Sequence, residues 1–257
     1  MGSRRKTAAS ILLGLLGAAL LSVPAAAQAG WVQAPDGSYS YRKEDGAQAQ
    51  GFCCIGGSWY YFDENGVMDP SDRVVGHVLY RFDPEGAVAS AGRVEGFGGG
   101  SFPVAMFDAQ TQELFDQMSQ EKLSQYEEEY PDWEERDFSA LPKQEAYASF
   151  IVFEDLNRAA AHRLAGIREK GRTGGEIPGE GSAGDYLETI GRRGRTWMEL
   201  WLPRCETADE AFEKLEEQMT EQFEKKEDPR YLLRYYREVG IARSQEGEQG
   251  FLILLVR

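Results

Sequence analysis

Imidazole and thiol are scarce in this chain, whose 257 residues include two histidines and three cysteines. His77 and His162 are far apart in sequence, and without paired imidazoles a soft metal site is not expected. Cys53 and Cys54 are adjacent and point to opposite faces if they lie on a strand, so at most one could reach Cys205. Their spacing fits no zinc motif, and they read as small packing residues. Basic residues are also in deficit, 28 against 43 acidic, for a formal charge of −15. That balance excludes the basic footprint of a nucleic-acid binder, and Arg192-Arg193-Gly194-Arg195 reads as a solvated turn. Beyond residue 29 no long apolar run remains, so nothing further along the chain is expected to span a membrane.

The first 29 residues do carry such a run. Ser3-Arg4-Arg5-Lys6 is a basic start, Ala8 to Val23 is apolar, and Pro24 breaks it ahead of Ala25-Ala26-Ala27-Gln28-Ala29, which offers small-x-small cleavage sites. This is the pattern of a secretory signal peptide. It predicts a secreted or cell-wall-associated protein whose mature part begins at Gly30-Trp31.

A short repeat follows. Tyr39 to Gly46, Trp59 to Gly66 and Leu79 to Gly86 are octets spaced by twenty residues, each opening on a bulky residue and closing on Gly. Asp36-Gly37 and Gly56-Gly57 predict two-residue hairpins joining 31–35 to 38–42 and 52–55 to 58–62. Val74 to Val78 with Leu79 to Phe82 is a fainter third pair. Single hairpins are not stable alone, so the units are expected to stack. In Gly30-Trp31, Gly57-Ser58-Trp59-Tyr60-Tyr61-Phe62 and Gly66-Val67-Met68 the segment resembles choline-binding and related cell-wall-binding repeats. The resemblance implies a β-hairpin solenoid whose aromatics hold a choline headgroup or a sugar, and it points to Trp31, Trp59 and Tyr61 as ligand-binding residues. A cation held on aromatic faces is a physically sound use of that composition; a purely packing role for the same rings is the competing reading.

Glycines cluster over 91–102, which reads as a linker. The texture then becomes helical over Thr111 to Glu129 and again from about Lys143 to Lys170, where Gly171 ends the pattern. The Gly-rich stretch 171–184 lacks the strand and helix context of a dinucleotide site. Trp197 to Leu202 reads as a strand, and Thr207 with Glu210 reads as a capping box for a helix. Arg237 to Arg243 and Phe251 to Val256 read as a closing hairpin. Helices beside a small sheet make an α+β arrangement.

In Asp155-Leu156-Asn157-Arg158-Ala159-Ala160, Met198-Glu199-Leu200, the Ala208 to Phe212 helix and Val239-Gly240-Ile241, residues 103–257 resemble the CAP superfamily of cysteine-rich secretory and pathogenesis-related proteins. That implies an α-β-α sandwich. It also implies a cleft lined in many members by two histidines and two acids. Here those positions fall on Lys170, on the region Asp228 to Arg230, on Glu199, and on Glu217 or Gln218, so the set is largely missing. Glu199 is the one candidate acid, were burial between Trp197 and Trp201 to raise its pKa. No cofactor is expected.

The sequence therefore predicts an exported bacterial envelope protein with repeats over 30–90, tethered without covalent attachment to a cell-wall polymer through choline or glycan. Its CAP-like domain would bind a protein or lipid-like ligand rather than catalyse. The rival readings are a wall-acting hydrolase using Glu199 and a freely secreted protein with structural repeats.

Overall fold

The computed structural model describes residues 29–94, 99–131, 148–244 and 249–257. The expected leader lies outside these residues except for its final position. No helix among the described residues is long and apolar enough to cross a membrane.

Two hairpins open the fold, β1 (Gly30–Gln33) with β2 (Tyr39–Arg42) and β3 (Gly51–Ile55) with β4 (Ser58–Phe62), each a two-stranded antiparallel sheet. The second closes as expected, with Ile55 opposite Ser58 and both Gly56 and Gly57 at positive φ, the requirement of a two-residue turn. The first does not. Its pairing stops at Gln33 opposite Tyr39, leaving the five-residue loop 34–38. Pro35 fixes φ and offers no N–H to a tight turn, so Gly37 alone takes a positive φ of 89° and Asp36 Oδ1 accepts from the Ser38 amide at 2.9 Å.

The twenty-residue period is physical. Gly46, Gly66 and Gly86 donate to the carbonyls of Lys43, Asp63 and Asp83 at 3.0 Å, each at positive φ. Asp63 Oδ1 accepts from Asn65 and Val67 amides, and Asp83 Oδ1 repeats this with Glu85 and Ala87. Lys43 occupies that position in the first unit, and Asp45 Oδ1 takes over the Ala47 amide. Units are tied in one register: Ser40 bridges to Val67 and Tyr60 to Ala87.

The third unit departs from the pattern. β5 (Arg73–Val75) and β6 (Val78–Phe82) meet across Gly76 and His77, and β6 then pairs with β7 (Val88–Arg93). Through β7 they enter a seven-stranded sheet ordered β5-β6-β7-β8-β10-β11-β9, whose other members are β8 (Ile151–Phe153), β9 (Trp197–Pro203), β10 (Glu238–Ser244) and β11 (Gly250–Val256). Val78 and Tyr80 of β6 are buried in its main core. The third unit thus carries Val78 and Tyr80 in the core, where the first leaves Trp31 and Tyr39 exposed. One sheet therefore runs through residue 90, and the stretch expected as a linker starts inside β7. Gly99 is there for close approach: a Cβ would sit 2.6 Å from both Leu123 Cδ1 and Ala148 Cβ.

Helices cover both faces of this sheet. α1 (Ala109–Glu129) and α4 (Ala208–Lys226) bury Leu114, Phe115, Met118, Ala211, Leu215 and Met219 on one side. α2 (Glu154–Lys170) and the short α3 (Ala183–Thr189) bury Leu156, Ala160, Leu164 and Leu187 on the other. Every residue of β11 is buried, as a strand covered on two faces must be. Part of the long helix expected from Lys143 is a strand. Residues 143–147 lie outside the described residues, but Ile151–Phe153 pair with β7 and in parallel with β10. The α4 cap also differs: Thr207 accepts from the Glu210 amide, but Glu210 carboxylate reaches the Glu206 amide instead of closing the box.

α2 seats unusually close to the sheet. A Cβ on Gly240 would lie 2.2 Å from the Leu156 carbonyl carbon. Because β8 ends early, the Ile241 amide lacks a strand partner and Asn157 Oδ1 accepts it at 3.0 Å, satisfying a buried donor that would otherwise cost stability.

Candidate functional site

The three residues singled out as ligand-binding divide between two places. Trp31 on β1 packs edge-on against Tyr60 at 4.9 Å between centroids and against its cross-strand partner Tyr41 at 5.4 Å. Phe62 and Tyr39 complete the cluster at 5.8 and 6.5 Å. Trp31 is still 42 % exposed and Tyr39 40 %, so this cross-repeat cluster keeps open ring surface.

Trp59 and Tyr61 alternate with Tyr60 and Phe62 along β4 and so face the other way. Tyr61 packs on Phe52 at 5.1 Å, and Phe52 in turn on Tyr80 at 4.4 Å. The open face of Tyr61 is taken by Arg73, whose guanidinium carbon lies 3.5 Å from the ring centroid. Arg73 is itself held by Asp69. The Ser71 amide bonded to Asp69 holds that carboxyl below the usual range, and Arg73 adds to it. No single cage unites Trp31, Trp59 and Tyr61.

Trp59 instead forms a wall of a cleft of about 510 Å³ between the tip of the second hairpin and the body of the protein. Met106, Phe107 and Asp108 ahead of α1, Glu154 and Arg158 at the start of α2, and Arg243 on β10 are among the other lining residues. Burial pushes the Glu154 carboxyl above the ordinary range, while a 3.0 Å hydrogen bond from Asn157 offsets part of the shift. Sequence reasoning missed this cleft, since its walls come from segments far apart in the chain. Asp108 as the α1 cap and the apolar Met106-Phe107 before it were the available signals.

Glu199 is buried but committed. Arg163 Nε reaches its Oε2 at 2.5 Å and Arg172 reaches Oε1 at 3.0 Å, with the Glu199 and Arg163 side chains 1 % and 0 % exposed. Glu180 pairs with Arg163 as well, and His162 lies 3.2 Å from Glu180 while stacking on Tyr186. Both Glu199 oxygens are thus occupied, and Glu199 is not among the residues lining the cleft. Lys170 and Glu217 are exposed, and Asp228 is engaged by Arg230. Arg192 does not belong to a solvated turn: it holds Asp155 at 2.7 Å, pairs with Glu238 and stacks over Phe153. Among the described residues no group of histidine, cysteine or acidic side chains could hold a metal ion. All three cysteines are free thiols. Cys205 is buried in the core, as a packing residue would be, whereas Cys54 is exposed.

Residues 51–68 match the family described as "Putative cell wall binding repeat". This is the second hairpin with the turn that follows it. Among solved structures, the choline-binding domain of a Streptococcus pneumoniae protein is 34 % identical over 25 % of this chain and 77 % of its own, with a TM-score of 0.23. An alternansucrase in complex with isomaltononaose is 30 % identical over 24 % of this chain and 5 % of its own, also at 0.23. CbpJ from Streptococcus pneumoniae TIGR4 is 25 % identical over 29 % of this chain and 24 % of its own, again at 0.23. No curated protein matches the chain.

Proposed function

We propose that this is an exported protein held non-covalently at the cell envelope, with its N-terminal hairpins gripping a choline-bearing wall polymer. The observation that carries the proposal is the cross-repeat cluster of Trp31, Tyr39, Tyr41, Tyr60 and Phe62, in which rings of two successive units meet and leave open surface. A quaternary ammonium is attracted to such faces and needs no hydrogen-bond donor from the protein. The family match over residues 51–68 supports the same ligand class.

The body behind the hairpins acts in this proposal as a binding module. Its resemblance to CAP domains rests on residues alone, and the tether does not depend on it. A hydrolase using Glu199 is disfavoured by the two guanidinium groups that occupy that carboxylate. The test is retention of the purified protein on a choline matrix and on isolated cell walls. Retention released by free choline and weakened by Trp31→Ala is the expected result. Passage straight through at low salt would leave the repeats as spacers.

A further inference from the structure

The cleft walled by Trp59 has no place in the tether, and its lining specifies a ligand. Trp59 and Phe107 supply aromatic surface, with Met106 beside them. Around that surface stand two acids, Asp108 and Glu154, and two arginines, Arg158 and Arg243. A ligand of either net charge would meet as much repulsion as attraction there. A neutral ligand that is apolar on its faces and rich in hydrogen-bonding groups at its edges suits every part of the lining. A pyranose ring has that character: its C–H face lies against an aromatic ring and its hydroxyls radiate to carboxylates and guanidinium groups. The volume of about 510 Å³ is in the range of sites that enclose small molecules.

From this lining we infer that the cleft between the second hairpin and the body is a binding site for a short, neutral oligosaccharide, with Trp59 as the stacking wall and Glu154 and Arg158 as hydroxyl partners. Glu154 is suited to this because it is buried and Asn157 is the partner fixing one of its oxygens, Oε2. Asn157 donates to Glu154 and accepts from the Ile241 amide, and it acts by positioning the carboxyl. Trp59 and the α2 residues come from the repeat and the body respectively, so a bound glycan would touch both. The site is independent of the aromatic cluster at Trp31, and either can fail without the other.

The test is NMR titration of the full protein with cellotriose, maltotriose and chitotriose, following the indole N–H signals of Trp59 and Trp31. A saturable shift at Trp59 with at least one of the three, and none at Trp31, is expected. Ala161→Leu fills the cleft from an exposed helix position and should weaken that binding at least tenfold, as should Glu154→Gln. Trp31→Ala should leave it unchanged. The inference is overturned if none of the three sugars shifts Trp59 saturably, or if the shift moves to Trp31. It is equally overturned if both Ala161→Leu and Glu154→Gln bind as the parent does.

Discussion

Arg73 lies with its guanidinium carbon 3.5 Å from the centre of the Tyr61 ring, which is where a ligand cation would sit on that ring. The protein carries its own cation on one of the three aromatics that the repeat resemblance selects. Arg73 thus covers Tyr61, whereas Trp31 keeps an open face. Replacing Arg73 by Gln removes the internal competitor. A cation–π contact contributes about 0.5–2 kcal/mol, so choline affinity measured by calorimetry should rise severalfold in Arg73→Gln. An unchanged affinity would mean that Tyr61 takes no part in ligand binding.

In the body, Gly240 lies close against the backbone of Leu156. A methyl group at Gly240 would stand 2.2 Å from the Leu156 carbonyl carbon and 2.4 Å from its oxygen. Those are helix backbone atoms that cannot swing aside, so α2 would have to lift from the sheet. Overpacking of this sort costs about 1–3 kcal/mol and sometimes more. Gly240→Ala should lower the urea midpoint by at least that equivalent and should also loosen the Asn157 to Ile241 bond next to it. Faster amide exchange at Ile241 would report the latter.

Glu199 tests what kind of residue an isolated buried acid is. With Arg163 fully buried and bonded to it, removing the negative charge leaves that guanidinium in the interior with Glu180 as the carboxylate that still pairs with it. Breaking a buried pair in this way costs about 3–5 kcal/mol. Glu199→Gln is therefore expected to lower the melting temperature sharply. If the variant keeps full stability and loses a wall-degrading activity, the hydrolase reading returns.

How much of this was visible beforehand depended on how local each signal was. The twenty-residue turns were legible because every part of each turn, Asp63 through Val67, lies within five residues. β11 was legible because Phe251 to Val256 is apolar throughout. β8 was not, since Phe150, Phe153 and Leu156 are spaced like one face of a helix, and short apolar runs do not distinguish the two states. The sheet pairing of Ile151 to Phe153 with β7 and β10 decided it. α3 was hidden among glycines although Ser182 and Asp185 form a reciprocal capping box. The cleft as a whole was not legible, because Trp59, Phe107, Glu154 and Arg243 share no sequence neighbourhood.

Lys122 is fully buried, with Nζ donating to the carbonyls of Ser149 at 2.9 Å and Tyr236 at 2.6 Å and lying 4.2 Å from the Phe150 ring centre. Burial drives its pKa well below the ordinary lysine value, and Arg237 adds to the effect. The folded protein then binds fewer protons than the unfolded chain between the lowered value and about 10.4. Stability from this group is complete above that window and lost as pH falls through it. Within the window the slope approaches about 1.4 kcal/mol per pH unit. Lys122→Met lacks it, so the stability difference, parent minus variant, should grow from pH 7 to pH 9.5 in urea titrations. A difference independent of pH would place a charged, unshifted lysine in the core.

The position of the third hairpin determines how the tether can be removed cleanly. Cutting at residue 90 would take β5, β6 and part of β7 out of the seven-stranded sheet, and the loss of Val78, Tyr80 and Val88 would uncover Phe115 and Val152 of the same core. Such a protein would fail on walls because it had unfolded. Removing residues 30–70 takes only the two hairpins that form sheets of their own and leaves every strand of the seven-stranded sheet. This shorter deletion should keep a cooperative thermal transition while losing choline-released retention on cell walls. Were the shortened protein to fold and still be retained like the full chain, attachment would have to reside in the body and the tether proposal would fall.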